Sequence, residues 1–113
     1  MHEMSLAEGV LQIMEDQAQS QNFTKVKTVW LEIGQLSHVD PDALSFCFDA
    51  VIKGSLAEGA KLEIIRTPGQ AWCHDCVEQV NVASLVDDCP KCGGHRLQVT
   101  DGDDMRVKEL EVD

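Results

Sequence analysis

Cys73-His74-Asp75-Cys76, followed after residues 77–88 by Cys89-Pro90-Lys91-Cys92-Gly93-Gly94, is the stretch that decides the fold. Two Cys-x-x-Cys pairs at this separation read as one four-thiolate metal site, each pair making a tight turn that aims two sulfurs at a single ion. The glycines after Cys92 make positive φ available there. Zinc in such a site is tetrahedral and closed, with no position left for water or substrate, so Cys73, Cys76, Cys89 and Cys92 are expected to be structural ligands. A satellite of this size has too few apolar residues for a core of its own and depends on the ion to fold.

Working outward, the 113-residue chain has room for one main core plus that satellite. Five cysteines, four of them at metal spacing, argue against a disulfide framework and for a reducing cytoplasm. No stretch approaches the ~20 consecutive apolar residues of a membrane span, and the N-terminus lacks the layout of a signal peptide. A formal net charge of −11, from nine basic and twenty acidic residues, excludes a nucleic-acid role that would need lysine and arginine to neutralise phosphates. Such a surface suits cations or a basic patch on another protein.

Ahead of the cysteines, the sequence predicts a helix from the capping box Ser5-Leu6-Ala7-Glu8, with Leu6, Val10, Ile13, Met14 and Gln17 along its buried stripe. Residues 25–34 alternate with a period of two and are rich in β-branched side chains, which predicts a strand. Asp40-Pro41-Asp42 opens a second helix, with Asp40 as N-cap, Pro41 in the first position and Leu44, Cys47, Phe48, Val51 and Ile52 inward. Residues 60–66 form a second strand, and Thr67-Pro68-Gly69 breaks the pattern. A short strand is expected over 79–83. The last strand, 105–112, needs a bulge or a change of face to bury Met105, Val107, Leu110 and Val112 together.

That strand has no core unless it returns to the first half of the chain. The expected fold is therefore α+β: two helices on a three-stranded sheet, with a zinc-ribbon-like four-cysteine domain inserted between the second and third strands. The boundaries fall at 1–68 plus 102–113 for the main domain and 69–101 for the insert.

For chemistry outside the quartet, Cys47 reads as a small core residue, since no neighbouring cation lowers its pKa. His74 and His95 flank the metal site, either solvated or hydrogen-bonded to thiolates. Met1-His2-Glu3 is the sharper candidate. The Nδ1 of an imidazole at position two can join its own deprotonated amide nitrogen and a terminal amine in fused chelate rings, which favours square-planar nickel(II) or copper(II), with Glu3 supplying a further donor. Neither a Walker phosphate loop, a dinucleotide glycine fingerprint nor HExxH occurs, so no enzyme activity is expected and a nucleotide-driven step would come from a partner.

Met1-His2-Glu3, Val29-Trp30-Leu31-Glu32-Ile33-Gly34, Leu44-Ser45-Phe46-Cys47-Phe48-Asp49, Gly54-Ser55-Leu56-Ala57-Glu58-Gly59, the cysteine quartet and the closing Met105–Val112 occur in one order across the chain. Together they resemble the HypA/HybF family of hydrogenase maturation factors. The resemblance implies a small cytoplasmic nickel metallochaperone that supplies the [NiFe]-hydrogenase large subunit precursor with the GTPase HypB, some members also serving urease. It implies His2 as nickel anchor, Glu3 and Asp40 as its neighbours, and zinc on the four cysteines. His38 departs from the small residue of the family pattern. The expected state is a monomer or a weak or domain-swapped dimer. Two other readings remain open at this point. One is a zinc-ribbon interaction module without nickel transfer. The other is a rubredoxin-like electron carrier, since Cys-Pro-x-Cys-Gly is also a rubredoxin knuckle.

Overall fold

In the computed structural model, which describes residues 2–113, eight elements follow one another: α1 (Glu3–Gln21), β1 (Val26–Gly34), α2 (Pro41–Val51), β2 (Lys61–Thr67), β3 (Gly69–Cys73), β4 (Glu78–Val82), β5 (Leu97–Asp101) and β6 (Met105–Val112). The strands form two three-stranded sheets, ordered β2-β1-β6 and β4-β3-β5. The fold is the expected α+β arrangement, with the cysteine-bearing sheet inserted in sequence between β2 and β6.

The start of α1 differs from the expectation. Leu6 N–H already donates to the His2 carbonyl at 2.9 Å, so His2 is the N-cap and Ser5 lies inside the helix. Glu3 causes the shift, because its buried carboxylate accepts the Asp40 N–H at 3.3 Å and turns the helix to keep that side inward. The buried stripe is consequently Glu3, Ala7, Val10 and Met14, while Ile13 and Gln17 are exposed and Leu6 is only half-buried. Asn22, in the left-handed region at φ 60°, ends the helix.

Asp40 caps α2 as predicted. Its carboxylate accepts from the N–H groups of Asp42 and Ala43 at 3.0 and 3.3 Å, and Pro41 takes the first turn, where a missing N–H is harmless. Leu44, Phe48 and Ile52 are buried, with Cys47 and Val51 partly so. In β6 the half-buried positions are Met105, Val107, Leu110 and Val112, and the exposed pair Lys108-Glu109 marks the change of face that the apolar pattern required.

Two compact units emerge. The first comprises the chain through Leu31, Val39–Ile64 and Val107–Asp113, and the second Glu32–His38 and Ile65–Arg106. Buried Ala7, Val10 and Met14 of α1, Val26, Val29 and Leu31 of β1, and Leu44 and Phe48 of α2 belong to the first. Leu36, Ala71, Cys73, Val80, Val82 and Cys89 form the core of the second.

Within the second unit, three backbones meet more closely than side chains permit. A Cβ at Gly34 would lie 2.0 Å from the Gly102 carbonyl oxygen, and one at Gly102 2.4 Å from that of Pro68. Gly102 also sits at φ +83°. Hydrogen bonds tie the junction: Gly34 N–H to Asp104 C=O at 2.9 Å, Leu36 N–H to Gly102 C=O at 2.8 Å, and Gln35 N–H to Thr67 C=O at 2.9 Å. Because the obstructing atoms are backbone, Gly34→Ala is expected to cost about 3 kcal/mol by thermal melting. Gly54→Ala, at φ +76° but in open space, should cost only about 1 kcal/mol.

Candidate metal centre

The two cysteine pairs occupy matching turns. Val77 N–H donates to the Cys73 carbonyl and Gly93 N–H to the Cys89 carbonyl, each at 2.8 Å. Both donors follow the second cysteine of their pair and take positive φ, 55° at Val77 and 71° at Gly93. Glycine does this without cost; a β-branched residue does not. Inside each turn, backbone amides point at sulfur: Cys76 N–H to Cys73 Sγ at 3.3 Å, Lys91 N–H to Cys89 Sγ at 3.4 Å and Gly94 N–H to Cys92 Sγ at 3.4 Å.

These turns bring all four sulfurs within 4.8 Å of one another, and among the described residues they are the group of His, Cys, Asp or Glu side chains gathered in reach of one ion. Cys73 and Cys92 sulfurs are 3.7 Å apart, and Cys76 and Cys89 sulfurs 3.8 Å. Four thiolates around a tetrahedral ion at about 2.3 Å stand roughly 3.8 Å from one another. Cys73 and Cys89 are buried, Cys76 is intermediate and Cys92 is exposed. Crowding also separates their acidities. The hydrogen bond with Cys92, then burial, hold Cys76 well above the ordinary thiol value, whereas the Cys92 backbone N–H, joined by that of Lys91, brings Cys89 down to about 7. Four thiolates so close cannot all be charged without a cation among them, so the donor set fits a soft tetrahedral dication.

Charged side chains surround the turns. Arg96 Nη1 lies 3.1 Å from Asp75 Oδ1, Lys91 pairs with Glu78, and His95 Nδ1 lies 2.5 Å from Asp88 Oδ1. His95 thus faces a carboxylate, and His74 is exposed with its N–H donated to the Arg96 carbonyl at 2.9 Å. These pairs escaped the sequence reading, although the opposite charges two residues into each Cys-x-x-Cys pair, Asp75 and Lys91, were a visible signal.

At the other expected site, His2 is exposed and its side chain makes no capping hydrogen bond. Glu3 reaches Asp40, but through the Asp40 backbone N–H, a bond that lowers the Glu3 pKa. Asp40 meanwhile spends Oδ1 on its cap. Among the described residues, the side chains of His2, Glu3 and Asp40 are not gathered around one point as the sulfurs are. The Met1 amine, invoked for the chelate, lies outside the described residues. His38 is exposed and lines a cleft with Leu36 and Ala83–Val86, and Cys47 is half-buried.

Comparison with known proteins gives the family. Residues 1–112 match the family model for hydrogenase/urease nickel incorporation, the metallochaperone HypA. The chain belongs to the HypA family. It is 63% identical to hydrogenase maturation factor HypA of Albidiferax ferrireducens and 58% identical to that of Azotobacter vinelandii, in each case over the whole of both chains. Its fold matches the solution structure of the nickel metallochaperone HypA from Helicobacter pylori with a TM-score of 0.74, at 26% identity, covering 99% of this chain and 97% of that one.

In this HypA-family chain the four-cysteine site carries one strained position, Val77, which is largely exposed. Asparagine adopts left-handed backbone more readily than valine. Val77→Asn should therefore raise stability by about 1 kcal/mol, read as a higher melting temperature in metal-saturated protein.

Proposed function

We propose that the chain is a non-enzymatic cytoplasmic nickel carrier that holds one Ni(II) through His2 and delivers it to the [NiFe]-hydrogenase large subunit precursor, in concert with the GTPase HypB. The domain of residues 1–68 and 102–113 is the nickel-binding part. Residues 69–101 hold zinc on Cys73, Cys76, Cys89 and Cys92 as a structural ion. The observation that carries this reading is the family match across residues 1–112, which includes Met1-His2-Glu3.

The local structure supports it. As N-cap, His2 has a backbone N–H that precedes the helical hydrogen-bond ladder, so its amide nitrogen is not spoken for within α1. Its imidazole is exposed and accessible to an incoming ion. Glu3 and Asp40 bring carboxylates to the starts of α1 and α2, where helix dipoles are positive and would otherwise oppose a cation. A site built from an exposed imidazole and terminal backbone nitrogens is open on the solvent side, which suits an ion that must be handed on. Zinc, when bound, crosslinks the two cysteine turns, and Cys73 and Cys89 anchor it to the core of their unit.

Titration of nickel and zinc into wild type and His2→Ala tests the reading. The variant should lose nickel binding at micromolar concentrations, with zinc content and melting temperature unchanged. Unaltered nickel uptake would remove His2 from the site. Cys73→Ala, in contrast, should lose zinc and loosen the second unit while nickel still binds.

A further inference from the structure

The two cysteine turns carry opposite charges. Cys73–Glu78 contains Asp75 and Glu78, whereas Cys89–Arg96 contains Lys91 and Arg96. Their pairing is reciprocal. Asp75, inside the first pair, meets Arg96, beyond the second; Lys91, inside the second pair, meets Glu78, beyond the first. The backbone follows the same crossing, since His74 N–H donates to the Arg96 carbonyl at 2.9 Å. By contrast, His95 pairs with Asp88, so both partners lie on the same side of the crossing.

Each of the two hairpin-like turns supplies two of the four ligands of a closed four-sulfur site, so separating the turns would open it. Each turn owns two sulfurs, and the amide bonds to sulfur lie within a turn: Cys76 to Cys73, Lys91 to Cys89 and Gly94 to Cys92. Those bonds shape a turn but do not resist separation of the two. The two ion pairs do, together with the His74 N–H to Arg96 C=O bond.

We propose that Lys91 and Arg96 are positioning residues of the metal centre. Their ion pairs with Glu78 and Asp75 cross from one cysteine turn to the other and keep the four sulfurs at coordinating distance, so that breaking them precedes metal loss. The proposal rests on the quartet holding zinc. All four side chains are solvent-accessible, so each pair contributes modestly and is screened by salt. Zinc retention should therefore depend on ionic strength, a property that buried sulfurs in an apolar core would not confer.

The test uses the full-length protein loaded with zinc, a chelator in excess, and the rate of zinc transfer at low salt and at 1 M NaCl. Lys91→Glu places a second acid beside Glu78 and should speed zinc loss about two- to fivefold at low salt, with a flattened salt dependence. Glu78→Lys combined with Lys91→Glu restores the pair in reverse and should return the rate to near wild type. His95→Gln, which breaks the pair that does not cross, should leave it unchanged. Equal rates in wild type and Lys91→Glu, or no rescue by the charge exchange, would overturn the proposal. Purified wild type free of zinc would instead overturn the zinc reading beneath it, so metal analysis before the chelator is added separates the two failures.

Discussion

A carbonyl oxygen occupying the space of a missing Cβ is the constraint on which the second unit depends. Gly34 ends β1, Gly69 begins β3, and Gly102 lies in the turn between β5 and β6, so the chain segments that enter and leave the cysteine-bearing sheet all pass this point. A Cβ at Gly69 would meet both Leu36 and the Val82 carbonyl at 2.5 Å. No larger residue fits without moving backbone, and moving backbone would break the hydrogen bonds from Gly34 and Leu36 that close the junction. Glycine here is a packing requirement at Gly34 and Gly69, and both a packing and a conformational one at Gly102.

Beyond the junction, the inserted sheet is stabilised from two sources. Its apolar core is small, and two of the six buried residues in it are cysteines of the quartet, Cys73 and Cys89. Antiparallel pairing of β3 with β4 and β5 runs up to Cys73, so the first ligand turn begins where the ladder ends. Sheet register and sulfur placement are thus one problem: a slip of one residue along β3 would send Cys73 to the opposite face.

How much of this was legible in the sequence varied with the kind of signal. Cysteine spacing and the Asp-Pro helix start are local and nearly free of tertiary context, and the structure gathers the four sulfurs and caps α2 with Asp40 as they indicated. The phase of α1 was misread because an acid, Glu3, is buried through a bond to an amide from α2, something periodicity of apolar residues cannot reveal. Strands β3 and β5 were missed as strands because each is only five residues long, too short for its alternation to stand out beside the cysteine turns, while the pairing that holds them is backbone. His2 and Glu3 stood out first through the chelate that an imidazole at position two can form and then through family resemblance; that Glu3 meets the backbone of Asp40 and not its carboxylate needed coordinates.

The graded exposure of the four sulfurs gives the centre a direction. Cys73 and Cys89 face the interior, Cys76 lies at the boundary, and Cys92 meets solvent. An oxidant or alkylating reagent approaching the quartet encounters one sulfur long before the others. Modification of the quartet would then begin as a chemical event at a single atom, the Cys92 sulfur, with the other three cysteines still intact.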